Sequence, residues 1–359
     1  MLNEAQAYYG FNKLMSSQMS ELSLREADMI QRIKYRLTGA PTPMAGLALA
    51  IASLGWCWDG VLVAQGILST PGLVQWISAG IAAVLLLVLA VKFLIHGHLL
   101  REDLAHPVVG SVVPTFAMGC MVVSASLAPI SQFLQEAMWL ASVALHVVFL
   151  VSFLYHRAKN FEIHHMVPSW FVPPIGIIVA DVSFSGNPIL EPVAHATLVF
   201  GLLVYAVMLP LMIYRLIFSH EVPDAAKPTI AIMAAPASLS LAGYLTVTAT
   251  PSPVIIGLLF GIAMLMTFII YVAFFKLLRL PFSPGYAAFT FPIVIGATAL
   301  FKLAAWMQVQ GVEAHYISQV FNLAYLELIV ATLVVGYVAV RYYMNYKPHR
   351  VLGAVAGRL

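Results

Sequence analysis

The chain predicts an all-α integral membrane protein: ten transmembrane helices as five tandem, parallel hairpins, with five inner helices round a central pore. Three observations carry this expectation. Of 359 residues, 61% are hydrophobic and 9% charged, with mean hydropathy +0.92, whereas about a quarter of a soluble domain is charged. Ten apolar runs follow one another, each close to the roughly 20 residues that a bilayer requires. Prolines recur along alternate runs at a nearly constant interval.

Residues 1–40 are read as a cytoplasmic N-terminal segment. Ser23-Leu24-Arg25-Glu26 has the pattern of a capping box, in which serine and glutamate satisfy free amides at a helix start. Met29, Ile30, Ile33 and Leu37 then recur at helical spacing among Arg32, Lys34 and Arg36. That pattern suits an amphipathic helix at headgroup level, and equally a plain basic flank. The first apolar run begins near Pro43, after a long polar stretch, so it is expected to be retained as a span rather than removed as a signal peptide. Residues 41–345 form the ten-helix domain and 346–359 a cytoplasmic tail.

The runs lie at about 43–58, 73–95, 107–127, 134–156, 167–184, 190–215, 228–248, 253–275, 284–307 and 317–340. Connections from odd to even runs hold no lysine or arginine. Of the 18 basic residues, 16 fall in the tails or in the even-to-odd connections, which by the positive-inside rule places both termini in the cytoplasm. Lys92 is close enough to the inner face to snorkel, leaving Lys302 alone in its run. Trp56, Trp58, Trp76, Trp139 and Trp306 fall at predicted outer ends, where an aromatic belt is expected. The two cysteines, Cys57 and Cys120, lie at different depths, so no disulfide framework is expected.

Even runs such as VLLLVLAVKFL are lipid-like, whereas odd runs carry the glycine, proline, serine and threonine. Odd helices should therefore face one another or a cavity. Pro114, Pro174, Pro236 and Pro292 each sit several residues into an odd run, 60, 62 and 56 residues apart. Pro107, Pro168, Pro228 and Pro284 open the same runs. Five hairpins in one orientation follow, with the first fitting worst because it has only Pro41, Pro43 and Gly46 at its start. The inner helices should present their partly positive amino ends at the cytoplasmic side. Interior prolines, which remove an amide donor and bend a helix, should narrow the channel midway.

Within the ninth run, Ser283–Trp306, Phe291-Pro292 marks the expected constriction and Lys302 the far mouth. Phe289 lies about 200° round the helix from Phe291, so both cannot face the axis. Lys302 is read either as a free cation that attracts anions or as a partner of Glu327 on span ten, with Asp181 and Asp59 as further candidates. Ser111, Thr115, Ser238, Ser240 and Thr290 are candidate hydroxyl donors to a partly dehydrated anion. The bland reading is a bond to their own backbone or to a neighbouring helix. Eight of 11 histidines gather towards the cytoplasmic face, which raises a membrane di-iron enzyme as a rival. Only His96-Gly-His98 and His164-His165 form close pairs, so solvated loop histidines are the ordinary reading, with no metal or other cofactor expected. No enzyme motif and no nucleic-acid signature is present.

Ala288-Phe289-Thr290-Phe291-Pro292, Lys302, Ser53-Leu54-Gly55-Trp56 and the proline-bearing odd runs resemble the tellurite-resistance/dicarboxylate transporter family, which includes TehA-like and plant slow anion channels. The resemblance covers about 41–345. It implies a homotrimer in a cell membrane, here a bacterial inner membrane, with a pore in each subunit. It also implies that Phe291 matches a phenylalanine that must swing aside for small inorganic or organic anions to pass. The implied function is a gated anion channel; the alternative within the family is a proton-coupled C4-dicarboxylate or sulfite carrier, for which Asp181, Glu327 and His195 are the nearby titratable groups.

Overall fold

A computed structural model describes residues 29, 31, 32 and 34–346. The expected capping box and the tail lie outside the described residues. Residues 34–38 are helical. They are followed by α1 (Met44–Ala64), α2 (Leu73–Ile95), α3 (Gly97–Ala105), α4 (Val109–Val112), α5 (Thr115–Ala125), α6 (Gln132–Lys159), α7 (Val172–Ile175), α8 (Val179–Val182), α9 (Glu191–Phe218), α10 (Ala235–Val247), α11 (Pro253–Leu277), α12 (Phe291–Val309) and α13 (Ala314–Tyr346). Tight 3₁₀ turns at Pro168–Phe171, Lys227–Ala234 and Pro284–Phe289 lead into α7, α10 and α12. Eight helices are long and apolar enough to cross a membrane, or nine if Gly97–Ala105 and Val109–Ala125, bent by 106°, are one span. Pro168–Val182 is a shorter apolar stretch. The described residues form an all-helical, multi-pass membrane protein.

Four broken, proline-bearing segments and the unbroken α1 form a closed ring. α1 packs on α5, α5 on α8, α8 on α10, α10 on α12, and α12 back on α1. The lipid-like helices sit outside and bridge neighbours: α2 touches α1 and α5, α6 touches α5 and α7, and α13 touches α12 and α1. Composition explains the layers. In its most apolar stretch Pro284–Val309 is 78% buried, whereas Leu73–Ile95 is 28% buried, because small residues allow backbones to approach and branched apolar ones face lipid.

The four repeat prolines act differently from expectation. Pro114 is the N-cap of α5, while Pro236 and Pro292 are the second residues of α10 and α12. Pro174 lies in the single turn of α7. In a first turn the missing amide would have had no helical acceptor. Pro236 and Pro292 therefore start α-helices after a tighter turn, and Pro114 starts α5 after the short α4, rather than kinking continuous helices. The first segment, with Gly46 instead of an interior proline, is one unbroken 21-residue helix.

Breaking a helix inside a bilayer frees carbonyls that must find donors. Side chains of neighbouring segments supply several. His146 Nε2 of α6 donates to the Pro173 carbonyl at 2.8 Å and Trp139 Nε1 to that of Ala180 at 2.9 Å. Trp170 Nε1 reaches the Pro107 carbonyl at 3.0 Å, and Tyr342 OH donates to Pro284. Trp139 is thus 2% exposed and belongs to the packed interior, not to an aromatic belt; of the five belt residues, Trp76 is the exposed one. α3 was not anticipated: Leu99, Leu100 and Leu104 alternate with Arg101, Glu102 and Asp103 over a stretch read as a connection.

Candidate functional site

Two cavities lie along the ring. The near cavity, about 450 Å³, opens on the face where the basic loops gather. Its walls include Gly46 and Leu49 of α1, Thr115 and Met118 of α5, Phe171 and Gly176, Ile232, Pro236 and Leu239, and Pro284, Ala288 and Pro292. The α-helical portions of α5, α10 and α12 begin at Thr115, Ala235 and Phe291, all on this wall. Their amino ends carry partial positive charge. Those ends thus converge on the wall of the cavity that opens on the basic face, with α10 and α12 beginning only after their 3₁₀ turns.

Lys92 and Asp103 are the charged groups on the near wall among the described residues. Lys92 does not snorkel. It is 5% exposed, and its Nζ donates to the Ala40 carbonyl at 2.8 Å. Asp103 accepts from Thr42 Oγ1 at 2.5 Å. Together they pin the strand of chain that precedes α1. Gly110 lets α4 close onto α3: a Cβ there would lie 2.6 Å from the Leu104 carbonyl oxygen. Sequence reasoning missed this cluster, although a lysine near the end of an apolar run and an acidic residue eleven positions later were visible.

The far cavity, about 410 Å³, is lined by Ser53, Trp56 and Cys57 of α1, Val179 and Val182 of α8, Thr298 and Lys302 of α12, and Tyr325 of α13, among others. Lys302 is its one charged lining residue among those described. Phe291 borders both cavities and is 7% exposed. Phe289 points elsewhere, against Phe274 and Tyr286, with ring centroids 5.6 and 4.9 Å away.

The other candidate residues are dispersed. Glu327 accepts from Tyr271 OH and faces Gly296, and its Oε1 has no hydrogen-bond partner. Asp59 instead accepts the Gly72 and Val74 amides at 2.8 and 3.0 Å, capping α2. Asp181 lies 3.2 Å from Thr197 Oγ1. None of the three forms an ion pair with Lys302 within 4.0 Å, so the structure does not bring the Lys302–Glu327 pair together. Counting along helices gives a residue's depth but not the direction in which it points, and these carboxylates point away from the far cavity.

Four of the five hydroxyls follow the bland reading. Thr115 Oγ1 donates to the Val112 carbonyl, Thr290 Oγ1 to Ala287, both at 2.7 Å, and Ser238 Oγ to Ala234 at 3.2 Å. Ser111 Oγ is 2.7 Å from the Val108 carbonyl and 2.6 Å from Ser169 Oγ. Ser240 is fully buried with no partner. Thr115 alone of these five lines either large cavity, and its proton is already committed to its own backbone.

Residues 41–342 match the family model described as SLAC1, voltage-dependent anion channel. The chain belongs to the voltage-dependent anion channel family. Members of this SLAC1 family are channels or transporters rather than enzymes, which sets the histidine-box reading aside. Two relatives come from Methanocaldococcus jannaschii. Uncharacterized transporter MJ0576 is 27% identical over 215 residues, 53% of this chain and 62% of that protein. Uncharacterized transporter MJ0762 is 26% identical over 215 residues, 53% of this chain and 63% of that protein. The matches thus span less than two thirds of either relative. The SLAC1 match, which covers the whole ring, makes transport of anions the common ground.

Proposed function

We propose that this protein is a gated anion channel in which small monovalent anions pass from the near cavity to the far cavity within each subunit, with the Phe291 ring closing the way between them. The observation that carries this reading is that Phe291 borders both spaces. The converging amino ends of α5, α10 and α12 would favour an anion on the near side, and Lys302 would favour one on the far side. The mostly apolar, weakly polar walls would let an anion leave as readily as it enters. Thr290 and Pro292 set the start of α12 and so hold the ring in place. The wider proposal is ten crossings as five hairpins, with both termini in the cytoplasm of a bacterial inner membrane and three subunits in the assembly.

The test is the reversal potential of purified protein in planar bilayers with chloride, nitrate, sulfite and malate gradients. A potential that follows the anion gradient and ignores a proton gradient supports the channel. Saturable uptake driven by a proton gradient overturns it.

One observation favours a second reading, a proton-coupled C4-dicarboxylate or sulfite carrier. Glu327 is a buried carboxyl with an unpartnered oxygen against the back of α12, where a change of protonation could move the helix that carries Phe291. In that case Glu327→Gln should uncouple uptake from the proton gradient; under the channel reading it should leave ion selectivity unchanged.

A further inference from the structure

A cluster on the basic face takes no part in the passage. In the loop between α6 and the Pro168–Phe171 turn, Glu162, His164 and His165 each offer a ligand atom, and the three atoms lie within 4.8 Å of one another. Glu162 Oε2 is 3.1 Å from His164 Nε2 and 4.0 Å from His165 Nε2. The two imidazoles face each other at 4.3 Å between centroids. In a tetrahedral zinc site with bonds of about 2.0–2.1 Å, ligand atoms stand roughly 3.3 Å apart, so small side-chain rotations convert this cluster into a three-ligand set. His165 Nδ1 is buried without a hydrogen-bond partner, so no protein bond to that nitrogen holds its ring.

The loop backbone is already fixed. Arg215 of α9, 1% exposed, donates through Nη2 to the His164 carbonyl at 2.8 Å and through Nη1 to the His220 carbonyl at 2.9 Å. One guanidinium thus clamps the loops before two ring segments. A site whose scaffold is ordered beforehand loses less entropy when it takes an ion.

We propose that Glu162, His164 and His165 bind a divalent ion of the zinc class, with water at the fourth position. Borderline nitrogen ligands with one carboxylate suit zinc over magnesium or calcium, which prefer oxygen. The loop runs directly into Pro168–Phe171, and Phe171 lines the near cavity, so the ion stiffens the entrance to one wall of that cavity. This assignment does not depend on whether the protein is a channel or a carrier.

The full chain, purified without a polyhistidine tag and placed in lipid nanodiscs, is titrated with zinc against a chelating indicator at neutral pH. Cobalt serves as a spectroscopic stand-in. The expected result is one zinc per chain, tetrahedral cobalt absorption, and slower amide exchange across 160–170 when zinc is added. His164→Ala should weaken binding by about tenfold or more, and Glu162→Gln, which keeps the loop's shape, by a smaller factor. His98→Ala, in the other close histidine pair, should bind as the parent does. No binding by the parent, or equal binding by both His164→Ala and Glu162→Gln, overturns the site; Glu162→Gln decides the matter if the alanine variant does not fold.

Discussion

The near and far cavities are almost equal in size, about 450 and 410 Å³, yet each uses its lysine differently. On the near side Lys92 is spent on the Ala40 carbonyl, with Asp103 on the same wall holding Thr42. On the far side Lys302 lines open space with no carboxylate among its described neighbours on that wall. A cation in an apolar region is costly, by about 2.5–3.5 kcal/mol at a helix centre on insertion scales. One lysine meets that cost by bonding to the chain. The other meets it by facing a cavity, and under the proposed function it is the second that a passing anion meets.

The sharpest way to break this comparison is to join the two spaces. Phe291→Ala should raise chloride efflux from proteoliposomes by about tenfold, the equivalent of removing a barrier of roughly 1.4 kcal/mol; efflux equal to the parent's would clear Phe291 of any blocking role. Phe289→Ala sharpens the contrast. It empties an aromatic contact with Phe274 and Tyr286 and should cost up to about 3–5 kcal/mol of stability with no rise in efflux per folded molecule.

The next effect separates the lysines. Lys302→Gln should lower anion flux several-fold at low salt and less at high salt, since steering by a charge that faces an open cavity is partly screened. Lys92→Gln should instead lower the unfolding temperature, because a buried carbonyl loses its charged donor at a cost of about 1–3 kcal/mol. If Lys92→Gln changed flux and Lys302→Gln changed only stability, the roles would be reversed.

The smallest effect concerns the layers. Gly243 of α10 would place a Cβ 2.4 Å from Ile178 and 3.2 Å from Asp181, whereas a Cβ at Gly261 of α11 meets nothing within 4 Å. Gly243→Ala should destabilise by about 1–3 kcal/mol, and Gly261→Ala should be neutral or slightly stabilising. Thermal melts in the same detergent measure both.

Much of the fold was legible because lipid and cavity demand different residues. The runs rich in glycine and proline became the ring, and the Leu/Val/Phe runs became its sheath. The opposition of Phe289 and Phe291 followed from helical geometry alone. Azimuth across helices was not legible. Lys302 and Glu327 share a depth on paper, but Glu327 turns to Tyr271 and Gly296. Trp139 looked like a belt residue and His146 carried no signal, yet they satisfy carbonyls of Pro168–Val182, a need that appears only once that segment is seen to be broken. The proline repeat was visible, but not that Pro114, Pro236 and Pro292 would each begin a helix rather than bend one.

The contact of α12 with α1 has a consequence for biogenesis. It joins the two ends of the region 41–342, so the ring stays open until α12 has been made and docked. A nascent chain that has not yet reached α12 therefore has an open flank between α1 and α10.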